Sequence, residues 1–98
     1  MLLRVGSTDS TVRRRLVVHG RVQGVFFRAS CQEEASARSV AGSADNLDDG
    51  SVEVVLEGEQ AAVEDMVAWA RTGPEHAEVT GVDVHEEQPR GLSGFTVR

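Results

Sequence analysis

The run DDGSVEVVLEG, residues 48–58, restricts this chain more than any other stretch. Val52, Val54 and Leu56 recur at every second position, a period that only an extended strand places on one face. The Asp-Gly step ahead of them tolerates positive φ and marks a turn. The preceding SVAGSADN, residues 39–46, is a weaker strand on its own pattern. The following EGEQAAVEDMVAWARTGPE changes period: Val63, Met66, Val67 and Ala70 fall at i, i+3, i+4, i+7, one face of a helix. Glu59, Glu64 and Asp65 lie in its first half and Arg71 at its end, as the macrodipole favours, and Gly73-Pro74 stops it.

The flanking segments complete the order. Residues 11–19 read as a strand, with Val12, Leu16 and Val18 on one parity and Arg14 interrupting it. Residues 20–24 read as a loop by their glycines. A helix is expected over residues 25–39, with Phe27, Cys31 and Ala35 at i, i+4, i+8. AEVTGVDVHEE is a further strand and GFTVR a short last one. The order β-α-β-β-α-β plus a terminal strand predicts an α+β, ferredoxin-like sandwich: an antiparallel sheet with two helices on one face. That fold hosts many activities and does not choose among them.

The 98 residues suffice for one domain. Residues 1–11 read as a flexible leader and residues 12–98 as the domain. MLL is too short an apolar run for a signal peptide, and no run approaches a membrane span, so the cytoplasm is the default location. The single Cys31 excludes an internal disulfide and a cysteine zinc cluster; a small buried thiol is the expectation. His19, His76 and His85 lack the spacing of a helical metal pair. Asp45, Asp48 and Asp49 fail as a calcium loop, because Leu47 and Leu56 stand where oxygen ligands belong. Trp69, beside the apolar face of the second helix, is expected in core or rim packing. Neither a metal nor a cofactor is expected.

Charge is distributed unevenly. The net charge is −6 and all ten basic residues are arginine. Arg13, Arg14, Arg15, Arg21 and Arg28 lie in a segment with no acid, whereas acids crowd the chain from Glu33 onward. Nucleic-acid binding needs a broad basic surface, so a single small anion suits this pattern better. Arg13, Arg14 and Arg15 themselves are expected to be solvated residues that discourage pairing at a sheet edge.

The centre of the basic segment is HGRVQGVFFRAS, residues 19–30. A loop that leaves a strand and enters a helix aims several backbone N–H groups in one direction, and such a concavity attracts an anion. Gly20 and Gly24 permit the turns, and Arg28, one turn into the helix, can fold back to grip two oxygens of a phosphate. Val22 and Val25 are expected to screen the cradle from water, and Phe27 to anchor the helix. On local physics this reading and that of a plain loop with an exposed arginine weigh about evenly. There is no Walker loop, and GRVQG lacks the G-x-G of a dinucleotide site.

GRVQGVFFR resembles the acylphosphatase signature G-x-V-Q-G-V-x-F-R at every fixed position. AGSADNLDDGSVEV resembles the family's second motif, GPEHAEV the segment after its second helix, and GFTVR its ending. The resemblance spans residues 12–98. It implies a hydrolase that cleaves the carboxyl–phosphate bond of acyl phosphates, releasing a carboxylate and inorganic phosphate. A monomer with no nucleic-acid or membrane partner is expected. It implies that Arg28 binds the phosphoryl group with the amides of Val22, Gln23, Gly24, Val25 and Phe26, and that Asn46 orients the attacking water. Two positions depart from the family's habit. Ser43 stands where a large residue is common, and Asp45 where a basic or neutral one is. Asp45 is expected to face away from Asn46 as a solvated carboxylate. The alternatives are a non-catalytic anion-binding or regulatory module of the same fold and an RNA-binding domain. The first is disfavoured by the presence of both Arg28 and Asn46. The second is disfavoured by the absence of aromatics from SVEVVLEG.

Overall fold

The computed structural model describes residues 11–98, so the expected leader lies outside the described residues except for Thr11, which already belongs to the first strand. The elements are β1 (Thr11–Arg21), α1 (Phe27–Ala37), β2 (Ala41–Asn46), β3 (Val52–Glu59), α2 (Gln60–Ala70), β4 (Glu78–Glu87) and β5 (Phe95–Val97). The sheet order is β4-β1-β3-β2-β5. The first four strands pair antiparallel, and β5 adds itself parallel to β2 at the edge.

The period-two residues do what their spacing predicts. Leu16, Val18, Ala44, Val52, Val54 and Leu56 are fully buried on the sheet face that meets the helices. From α1 they receive Phe27, Cys31 and Ala35; from α2, Val63, Met66 and Ala70. The Phe27 and Trp69 rings meet at 5.2 Å between centroids, tilted by 49°, and tie the two helices together. Truncating a fully buried phenylalanine such as Phe27 costs about 3–5 kcal/mol.

The opposite sheet face corrects one expectation. β1 lies between β4 and β3 rather than at an edge, and Arg13 is only 6 % exposed. Its guanidinium meets Glu57 at 3.2 Å and Glu87 at 2.9 Å, while Arg15 also pairs with Glu87 at 3.0 Å. The register sets Arg13 directly opposite Glu57 on one side and Glu87 on the other. Topology supplies the cover. β4 and β5 occupy opposite edges, so the chain between them must cross the sheet. It does so with the N–H groups of Arg90, Gly91 and Leu92 donating to the Glu57 carboxylate at 2.9, 2.7 and 3.0 Å. Burial works to raise the Glu57 pKa, but these three donors and Arg13 outweigh it and hold the carboxyl below its ordinary range.

Candidate active site

Two strands deliver the site to one end of the sheet. β1 and β2 both run antiparallel to β3 and flank it, so they point the same way with α1 as their crossover. Val18 and Asn46 both lie opposite Val52. The loop that leaves β1 therefore emerges level with the end of β2, two strand spacings or roughly 10 Å away.

The loop's shape follows from its glycines. β1 runs on to Arg21, past the expected start of the loop, through an irregularity at His19/Gly20. A Cβ on Gly20 would sit 2.0 Å from the Glu78 carbonyl oxygen, so only glycine lets β4 approach here. Gly24 (φ 75°) and Phe26 (φ 62°) both take left-handed backbone. The turn at Phe26 explains why α1 begins at Phe27 and not at residue 25, and Val25 is turned into the core. Among the described residues, no backbone carbonyl accepts from the N–H groups of residues 23–26, and no side chain caps the helix start. The first turn of α1 carries no acid. These donors are left without a backbone acceptor at the positive end of a helix dipole.

Arg28 and Asn46 line one cleft of about 270 Å³ together with Val22, Gly24, Phe26, Phe27, Ala29 and Val97. Among the described residues Arg28 pairs with no Asp or Glu side chain; its Nη1 donates to the backbone oxygen of Arg98. Gln23 and Val25, expected among the phosphate-binding positions, do not line the cleft. The Gln23 side chain turns aside and donates to the carbonyls of Leu47 at 2.8 Å and Ser51 at 3.0 Å. It thereby ties the loop to the turn that follows Asn46. Val22 and Val25 are buried in the core beneath the loop, 1 % and 8 % exposed.

Asp45 also differs from its expectation. It is a partner and not a freely solvated group: the Arg98 guanidinium donates to both its oxygens, at 2.9 and 2.8 Å. Arg98 thus gives its side chain to Asp45 and a backbone oxygen to Arg28. Neither contact was apparent from spacing, since Arg98 is brought alongside β2 only by the parallel pairing of β5. Cys31 is fully buried, and burial pushes its thiol up to about 12, which leaves it inert. A larger groove of about 420 Å³ lies on the other sheet face, but three of its four lining arginines are occupied, Arg13 and Arg15 by Glu57, Glu53 and Glu87 and Arg98 by Asp45, and only Arg90 is left over. Size alone does not mark the site; unpartnered donors do.

The sequence model of the acylphosphatase family matches residues 14–97. The chain belongs to the acylphosphatase family. An acylphosphatase of Rubrobacter xylanophilus is 52 % identical over 93 residues, covering 94 % of this chain and 84 % of that protein. The solved structure of an acylphosphatase from Coxiella burnetii matches with a TM-score of 0.89 at 33 % identity, covering 97 % of this chain and all of that one (100 %). That of the Bacillus subtilis acylphosphatase matches at 0.85 and 38 % identity, covering 89 % and 98 %. The acylphosphatase fold is therefore present over nearly the whole described chain, with the ferredoxin-like sheet and both helices.

Proposed function

We propose that Arg28 and the amides of residues 22–26 hold the phosphoryl group of an acyl phosphate, and that Asn46 holds the water that attacks it. The chain is an acylphosphatase by family, and the reaction is hydrolysis of the carboxyl–phosphate bond to a carboxylate and inorganic phosphate. The observation that carries the residue roles is one cleft shared by Arg28, Asn46 and, from the loop whose N–H groups lack a backbone partner, Gly24 and Phe26.

The chemistry asks little more of the protein. An acyl phosphate is a mixed anhydride, and its carboxylate leaves without a proton. Catalysis then rests on positioning and on stabilising charge at the phosphoryl oxygens. Arg28 and the amides meet that charge as it develops. Asn46 accepts a hydrogen bond from the water and aims its lone pair at phosphorus. The water's proton passes to an oxygen of the bound phosphoryl group, so no histidine or carboxylate base enters, and activity is expected to stay flat from mildly acidic to neutral pH. All these groups come from one chain, which supports a monomer. The acid-rich remainder of the sequence supports the absence of a nucleic-acid partner, and a cytoplasmic location is proposed with them.

The test is hydrolysis of benzoyl phosphate, with an aryl phosphate ester as control and inorganic phosphate as competitive inhibitor. The anhydride alone should be cleaved, and Arg28→Ala and Asn46→Ala should each lower kcat/KM by about 10²-fold or more. Full activity in either variant would remove that residue from its role.

A further inference from the structure

Phe26 is the member of the site that phosphate chemistry leaves unexplained. It is the most exposed large apolar residue among those described, at 78 %, while its neighbour Phe27 is 1 % exposed. It also holds left-handed backbone, φ 62° and ψ 24°, where a side chain with a Cβ is strained and Gly or Asn would sit more easily. A single exposed apolar residue is ordinary on a protein surface. Exposure combined with strain, on the rim of the cleft that contains Arg28 and Asn46, is not ordinary. Phe26 fills an unspecified position of G-x-V-Q-G-V-x-F-R, so the shared phosphate chemistry does not demand an aromatic there.

We propose that the Phe26 ring is the platform for the acyl group, selecting acyl phosphates with an aromatic or bulky apolar acyl group over those with short ones. This rests on the acylphosphatase reading of the same cleft. The polar work of that cleft is divided among the amides, Arg28 and Asn46. What remains of the lining is apolar: Val22, Phe27, Ala29 and Val97, with Phe26 at the rim. The N–H of Phe26 belongs to the phosphate cradle, and its ring springs from the same residue. An acyl carbon one oxygen away from phosphorus therefore lies within reach of the ring. The exposed ring has unsatisfied apolar surface on which such a group can pack, and an aromatic acyl group can stack on it.

The experiment compares kcat/KM for benzoyl phosphate and acetyl phosphate in the wild type, Phe26→Asn, Phe26→Gly and Phe26→Trp. Asn and Gly suit the left-handed backbone, so the loop keeps its shape, and any effect common to both substrates cancels in the ratio. The benzoyl-to-acetyl ratio should fall about five- to tenfold in Phe26→Asn and Phe26→Gly and be retained in Phe26→Trp. A ratio within about twofold of wild type in both small variants, even with both rates lowered, would show that the ring serves only the loop and would overturn the proposal. A wild type that cleaves neither substrate would instead overturn the underlying reading of the site, and this proposal with it.

Discussion

Arg13 and Arg28 come from the same acid-free segment of sequence, and the fold puts them to opposite uses. Arg13 is buried, and its guanidinium is met by Glu57 and Glu87. Arg28 stands half-exposed in a cleft, and its partner is a backbone oxygen. A guanidinium saturated by carboxylates has no charge left to offer a ligand. One held by a single backbone oxygen keeps its remaining N–H groups for a ligand. What separates the structural arginine from the one proposed to bind the phosphoryl group is the partner and not the burial alone.

Truncation of the two arginines should therefore separate stability from activity, and this is the largest effect expected. Arg28→Ala should lose about 10²- to 10³-fold in kcat/KM with a nearly unchanged Tm. Arg13→Ala should do the reverse. It strips the buried Glu57 of its counter-charge, at a cost of about 3 kcal/mol, or a fall in Tm of roughly 10–20 °C. At a temperature where it is still folded, its kcat/KM should match wild type. Equal loss of activity in a folded Arg13→Ala protein would break the contrast.

How legible the two were differs in the same way. Arg28 and Asn46 stand at fixed offsets within local motifs, and the strands and helices around them announce themselves by period. Arg13 sits on a strand whose flanking pattern says only that it faces away from Leu16 and Val18. Its burial depends on a connection some 75 residues later crossing the sheet to donate to Glu57 (Arg13 to residues 88–94). No local pattern contains that. The Asp45–Arg98 pair is hidden for the same reason, because it needs β5 to lie parallel against β2. α1 starts two residues later than its sequence pattern suggests because Val25 and Phe26 look helical, and the left-handed turn at Phe26 is not encoded by its residue type.

The buried end of the comparison has a pH dependence that the cleft lacks. Glu57 is held below its ordinary range in the fold. Its contribution to stability is thus complete above the ordinary glutamate value of about 4.3 and is lost as pH falls through the lowered folded value. Glu87 and Asp49 are shifted the same way, chiefly by hydrogen bonds from Arg13 and Ser51, and add to the slope. Denaturant titrations from pH 7 to pH 3 should show stability falling below about pH 4.3, and Glu57→Gln should flatten that fall by up to about 1.4 kcal/mol per pH unit. An unaltered slope would mean that the crossing loop, rather than the charge of Glu57, secures this face.

The smallest effect lies where the two kinds of arginine meet, at Arg98. Its side chain is saturated by Asp45, while its backbone oxygen accepts from Arg28. The ion pair is largely exposed on the arginine side, so solvent screening leaves it little worth to stability. Its consequence for the substrate is a matter of sign. Asp45 adjoins Asn46 in sequence, and Arg98 cancels a carboxylate that would otherwise repel a phosphate dianion. Asp45→Asn leaves the Arg98 charge unopposed and should lower KM about twofold at low salt; Arg98→Gln leaves the carboxylate unopposed and should raise it about as much. The double variant should return close to wild type, and added salt should shrink both single effects. If both single variants raise KM together and salt does not matter, the pair acts as a clamp that seats the Arg98 backbone oxygen against Arg28. The role of Arg98 would then be positional and not electrostatic.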